Sequence, residues 1–242
     1  MFGIFKRRPK ILINSRDTLE EAAVYYGLLP FFINEVRGLS VQEMCAPGLL
    51  FGGNFDEGCW EWKGPVIRHR TTAYGKFFNR KAGFVSLELL PEFLNYRRNR
   101  YPVKPDSTEE MLLDIIKEND GMTSTELKEV IFGNKSKKRT AIDLPDLAMI
   151  TQVSGKRKSL EGPLQRLQMG GWLVISDFTY KHTKRGERYG WGVAQYSTPE
   201  LIFNRRFDGI QNSPEESFNF IVKALADKCP GVSKNVIRSL LK

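Results

Sequence analysis

Apolar positions in this chain switch from a helical to a strand period, and the switch is sharpest between Lys156 and Pro199. From Ser159 to Met169, Leu160, Leu164 and Leu167 fall at i, i+4 and i+7, which predicts a helix with these side chains inward. Glu161, Gly162, Gln165, Arg166 and Met169 then fall on the outward face. Ser159 is placed to cap the first turn, and Gly170-Gly171 to stop the last. Pro163 stands late for a helix start, where it removes a backbone hydrogen bond. Beyond the glycines, Trp172 to Tyr180 and Tyr189 to Tyr196 are rich in β-branched and aromatic residues and predict two strands. The tip between them, Lys181 to Arg188, is polar, contains a glycine and is mostly cationic. A helix, a glycine turn and a hairpin form the recognition half of a winged helix-turn-helix.

The rest of the chain is read around that half. Ile11 to Ile13 is a short strand or an apolar anchor, and Asp17 or Thr18 caps a helix that ends at Gly27. Ser40 caps a short helix, and the glycine, proline and asparagine density from Cys45 to Gly58 predicts loop. Gly75 to Ser86 reads as a hairpin turning at Lys81-Ala82-Gly83, and Leu87 to Arg98 as a helix with Pro91 near its start. Tyr101 to Asp106 resists both periods and marks a boundary. Ser107 or Thr108 opens a helix, and Thr123 with Glu126 forms a capping box that opens another. Asn134 to Lys158 reads as an insertion before the recognition helix. After Pro199, Ser213-Pro214 and Ser233 each start a helix, with Phe218, Ile221, Val222 and Leu225 on one stripe and Val236, Ile237, Leu240 and Leu241 on the other. This pair packs back on the winged helix or on a second copy as a homodimer. The predicted class is α+β, with an N-terminal α+β module at 1–104, a winged helix at 105–200 and C-terminal helices at 201–242. No internal repeat is visible.

Charge sharpens the picture. The 242 residues carry a formal net charge of +9, which favours an anionic partner and says nothing of fold. Between Lys63 and Lys104 the cations include Arg68, Arg70, Lys76, Arg80, Lys81, Arg97 and Arg98, against only Glu88 and Glu92. Interleaved with Trp60, Trp62, Phe77 and Phe84, they fit a phosphate-tracking surface with stacking platforms. Core packing is the preferred reading for those four aromatics, with the cations merely solvated. The three cysteines, Cys45, Cys59 and Cys229, form no CxxC pair and leave one over, so a reducing cytoplasm is expected. No segment has the length and apolarity of a membrane span, and no membrane partner is expected.

Trp60-Glu61-Trp62-Lys63, Tyr74-Gly75-Lys76 and Phe84 to Pro91 resemble the bacterial relatives of the AlkZ winged-helix DNA glycosylases. Gly155-Lys156 and the Leu160, Leu164, Leu167, Gln168 spacing are similar to that group's helix before the wing. The likeness runs from about residue 17 to 207. It implies DNA binding and a winged-helix-like N-terminal half. The active glycosylases carry Gln-x-Gln or Gln-x-Asp near the N-terminus to activate the attacking water. Neither spacing occurs here, since Gln42 is followed by Glu43 and Met44, and Gln165 and Gln168 stand three apart. That catalytic pair is therefore not carried over.

Other chemistry has little support in the residues. His69 and His182 are far from each other and from the cysteines, so neither a metal site nor a triad is expected, and no cofactor motif is present. Glu61 or Glu88 could act as a general base near a flipped nucleotide, against the commoner solvated or core-paired role. The expected partner is double-stranded DNA. Lys156, Arg157, Lys158 and Arg166 would engage it from the helix, with Gln165 facing a base edge. Lys181, Lys184, Arg185 and Arg188 would grip the backbone from the wing, and Arg68, Arg70, Lys76, Arg80 and Lys81 would extend the surface. Non-catalytic binding is the leading reading; a glycosylase-like enzyme with an altered active site and a protein-interaction winged helix are the alternatives.

Overall fold

The computed structural model describes residues 11–52, 57–132 and 159–242. The chain opens with α1 (Arg16–Tyr26), β1 (Leu28–Pro30), α2 (Val41–Met44), α3 (Cys59–Arg68), β2 (Thr72–Phe78) and β3 (Lys81–Ser86). The strands form an antiparallel sheet in the order β1-β3-β2. After α4 (Leu90–Arg100) the same sequence of elements returns as α5 (Thr108–Glu118), β4 (Met122–Thr123), α6 (Ser124–Phe132), α7 (Glu161–Met169), β5 (Val174–His182) and β6 (Arg188–Ser197). Its strands take the corresponding order β4-β6-β5. Among the described residues the chain thus repeats an order of elements that its residues do not repeat, because topology follows from burial pattern and not from identity. Three helices follow, α8 (Pro199–Phe203), α9 (Pro214–Ala226) and α10 (Lys234–Leu240).

Local chemistry explains most starts. Ser40, Ser107, Ser213 and Ser233 each accept an N–H from the first turn of their helix, and Ser213 forms a reciprocal capping box with Glu216. Thr123 and Glu126 exchange the same pair of bonds. The first helix is capped by Ser15 and not by Asp17 or Thr18, since Thr18 serves as the return partner of that box. α7 starts after Leu160, while Ser159 Oγ accepts the Glu161 N–H at 3.2 Å. Pro163 therefore falls in the first turn, where no backbone bond is forfeited. The β2–β3 hairpin turns at Asn79-Arg80, two residues with φ of 44° and 66°, as a two-residue hairpin requires. The turn expected at Lys81 to Gly83 is instead strand, and Gly83 is needed there for close approach. A Cβ at that position would lie 2.4 Å from the Phe78 ring and 2.6 Å from the Leu29 carbonyl oxygen.

Two apolar cores result. The larger joins α1, the first sheet and α4 to the C-terminal helices through Phe93, Leu94, Phe218, Ile221, Ile237 and Leu240. The smaller gathers Leu112, Ile116, Leu127, Leu160, Leu164 and Leu167 from α5, α6 and α7. The C-terminal pair does not pack on the second set of helices. α9 lies on α4, with the Tyr96 and Phe218 rings 4.9 Å apart and Asn95 Nδ2 donating to Ser217 Oγ at 2.8 Å. The stripe invoked for a second copy is thus covered within the chain. β5 packs against α3 and β2, with Phe178 6.3 Å from Tyr74. The foot of this hairpin is anchored on the first sheet, and its continuous exposed stretch is the tip, Lys181 to Glu187. Among the described residues no helix is long and apolar enough to cross a membrane.

Candidate nucleic-acid interface

The second hairpin carries the densest exposed charge. β5 ends at His182 and β6 begins at Arg188, and the turn between them is closed by the Thr183 N–H to Glu187 O bond at 2.8 Å. Lys181, Lys184 and Arg185 are exposed there, and none has an ion pair among the described residues. Arg188, expected beside them, turns inward. It pairs with Glu61 on α3 and stacks 3.2 Å from the Tyr180 ring centroid, while the Tyr180 hydroxyl donates to the same carboxylate at 3.1 Å. A partly buried guanidinium already paired with this carboxylate is a poorer phosphate ligand than the exposed cations of the tip. It holds the hairpin against α3 instead.

A cleft of about 440 Å³ opens beside this pair, lined by Ser15, Asp17, Trp62, Arg68, Tyr180 and Arg188 among others. Glu61 borders it, which makes the expected general-base role testable by geometry. Its Oε2 already accepts from a guanidinium and a phenol, so that oxygen is committed to holding the hairpin. Glu88 is exposed and borders neither cleft. Burial and the Glu61 charge push the Tyr180 phenol up to about 12.

A second cleft of about 490 Å³ lies between α6, the start of α7 and β2. Lys76, Lys128, Glu161 and Gln165 border it, so Lys76 and Gln165 meet although far apart in the chain. Gln168 stiffens the wall: buried, it accepts the Lys76 N–H at 3.2 Å and donates to Leu164 O at 3.2 Å. Lys128 was not anticipated, though its place beside inward Leu127 and Ile131 already marks it as outward. Tyr196, near the end of β6, also lines this cleft. About eight strand residues, roughly 25 Å, separate it from the cationic tip.

The remaining expected contacts scatter. Lys156, Arg157 and Lys158 lie outside the described residues. Arg166 turns away from the cleft to Glu109, at 3.1 Å, and Arg68 pairs with Asp177 at 2.8 Å. Lys81 donates to Ile33 O at 3.1 Å, while Arg70 and Arg80 are exposed at positive-φ positions. The basic stretch from Lys63 to Lys104 is not one phosphate-tracking surface. Lys63 is 3% exposed, bonded to Trp60 O and set 3.9 Å from the Trp60 and 4.4 Å from the Phe178 ring centroids. Burial lowers its pKa to about 8. Arg97 is wholly buried, donating to Met169 O and Leu241 O. Met169, expected outward on α7, is buried at this junction. Phe77 and Phe84 are core, and Trp60 and Trp62 are partly buried.

The model of the AlkZ-related family matches residues 13–242. The chain belongs to that family. No curated protein sequence matches it. Among solved structures the fold is similar to the Streptomyces sahachiroi DNA glycosylase AlkZ, at 12% identity and a TM-score of 0.49, over 97% of this chain and 60% of that one. This member of the AlkZ-related family therefore spans under two thirds of the AlkZ chain it is compared with.

Proposed function

We propose that this AlkZ-related protein binds double-stranded DNA without excising a base, through two winged-helix modules. The repeated order of helix, strand, two helices and a hairpin, with matching sheet orders, supports reading 11–104 and 105–200 as one module each, with the last helices bracing the first. The observation that carries the reading is the exposed trio Lys181, Lys184 and Arg185 on a hairpin whose foot is fixed by buried contacts. A cationic tip held at a set distance from a cleft bearing Gln165, Lys76 and Lys128 suits phosphate contacts at one end and groove contacts at the other. A non-catalytic role is supported by the lack of Gln-x-Gln or Gln-x-Asp, and by the Arg188 and Tyr180 bonds that commit Glu61 Oε2 to the hairpin. DNA binding is also what membership of the AlkZ-related family leads one to expect.

Titration of a labelled duplex across a salt series tests this reading. Replacing Lys181, Lys184 and Arg185 together with Ala should flatten the log–log salt slope by about 0.9 for each phosphate no longer neutralised. An unchanged slope would remove the hairpin tip from the interface, and release of free base from alkylated duplex would overturn the non-catalytic role.

A further inference from the structure

We infer that Trp191 and the aromatic residues behind it form a stacking seat for an unpaired nucleobase, so that the protein prefers duplex interrupted by an unpaired base to continuous duplex. The inference rests on the DNA-binding reading above and adds to it what the hairpin recognises. Trp191 is 68% exposed, the most exposed large hydrophobic side chain among the described residues. A local irregularity of the sheet puts it there. β6 advances from Tyr189 to Val193 while its partner advances only from Thr179 to Lys181, so Gly190, Trp191 and Gly192 bulge opposite Tyr180. Gly190 has φ of 72°, and a Cβ on Gly192 would lie 2.7 Å from the Tyr180 ring. Both glycines are required by this geometry, and bulges of this kind re-aim a side chain away from the sheet.

Behind the indole the support is continuous. Trp191 meets Trp60 edge-on at 5.8 Å, and Trp60 in turn touches Phe31 at 5.4 Å and Phe51 at 5.8 Å. Phe51 is 51% exposed and widens the apolar surface. The ammonium of Lys63 lies beneath Trp60. The cations Lys181, Lys184 and Arg185 belong to the same hairpin, roughly 10–15 Å further along it. A ligand with a flat π-face and negative charges at that spacing is a polynucleotide. Within a continuous duplex the base faces are covered by their neighbours, so an indole can stack only on a base that is out of the helix.

Two labelled duplexes of one sequence, one continuous and one carrying a single unpaired nucleotide, test the inference at one salt concentration against wild type, Trp191→Ala and Trp191→Phe. Wild type should bind the interrupted duplex roughly tenfold or more tighter, the range expected of one aromatic–base stack. Trp191→Ala should abolish that preference while keeping continuous-duplex affinity within about twofold, and Trp191→Phe should retain part of it. Equal wild-type affinities for the two duplexes, or a preference that survives Trp191→Ala, would overturn the seat and leave DNA binding standing. Failure of wild type to bind either duplex at low salt would fail the DNA-binding reading itself. A dimer in sedimentation that Trp191→Ala abolishes would overturn the seat in favour of a second copy of this chain.

Discussion

Lys63 offers a quantitative check on the packing of the hairpin against α3. Its ammonium is buried between the Trp60 and Phe178 rings, and burial lowers its pKa from 10.5 to about 8, with the nearby Arg188 charge adding to the lowering and Glu61 opposing it. A displacement from 10.5 to about 8 corresponds to about 3 kcal/mol. The sign follows from proton occupancy. Below pH 8 the folded and unfolded states both hold the proton, and the cost of the buried charge is present in full. Between about 8 and 10.5 the folded state releases it while the unfolded state keeps it, so stability rises with pH by about 1.4 kcal/mol per unit through that window. Lys63→Met keeps most of the side-chain volume and removes the charge. Setting about 1 kcal/mol against this for the missing bond to Trp60 O and the ring interactions, the variant should be more stable by about 2 kcal/mol at pH 7. By about pH 10 the advantage should have disappeared. Urea unfolding followed by far-UV circular dichroism, at several pH values on both proteins, measures the difference. A gap that does not change with pH would refute the reasoning, because it would mean that the aromatic rings hold the ammonium charged as well as water does.

The other expectations concern separate joints of the molecule. Arg97→Met leaves the Met169 and Leu241 carbonyls without their buried donor. At about 1–3 kcal/mol for each, less about 3 kcal/mol regained because burial lowers the Arg97 pKa from 12.5 to about 10, the net loss of about 1 kcal/mol should lower the melting temperature by roughly 2–4 °C in differential scanning fluorimetry. Glu61→Gln strips the enclosed Arg188 of its counter-charge, and should cost about 2–3 kcal/mol in urea unfolding; a neutral result would mean that water reaches the pair. Arg80→Gly relieves a side chain held at φ 66° in the first hairpin turn. Equilibrium unfolding should show a gain of about 0.5–1 kcal/mol, and a decrease would contradict the left-handed turn.

What the sequence by itself determined is the local grammar. Serine and threonine caps at Ser40, Ser107, Thr123, Ser213 and Ser233 start helices where expected, because a cap satisfies N–H groups within its own first turn. The cationic hairpin tip was legible for the same reason, since period and turn chemistry act over a few residues. α3 was not legible: Gly64 and Pro65 interrupt its pattern, and it is held by burying Cys59, Val66 and Ile67 against elements distant in the chain. β4 is two residues long and exists only because β6 pairs with it. Which cations remain free was likewise a tertiary decision. Arg166, Arg68 and Arg188 find their acids 57, 109 and 127 residues away, and Lys63 and Arg97 are drawn into the interior. The physical reason is that a charge's availability depends on what the fold places beside it, whereas a cap or a turn carries its partner with it along the chain.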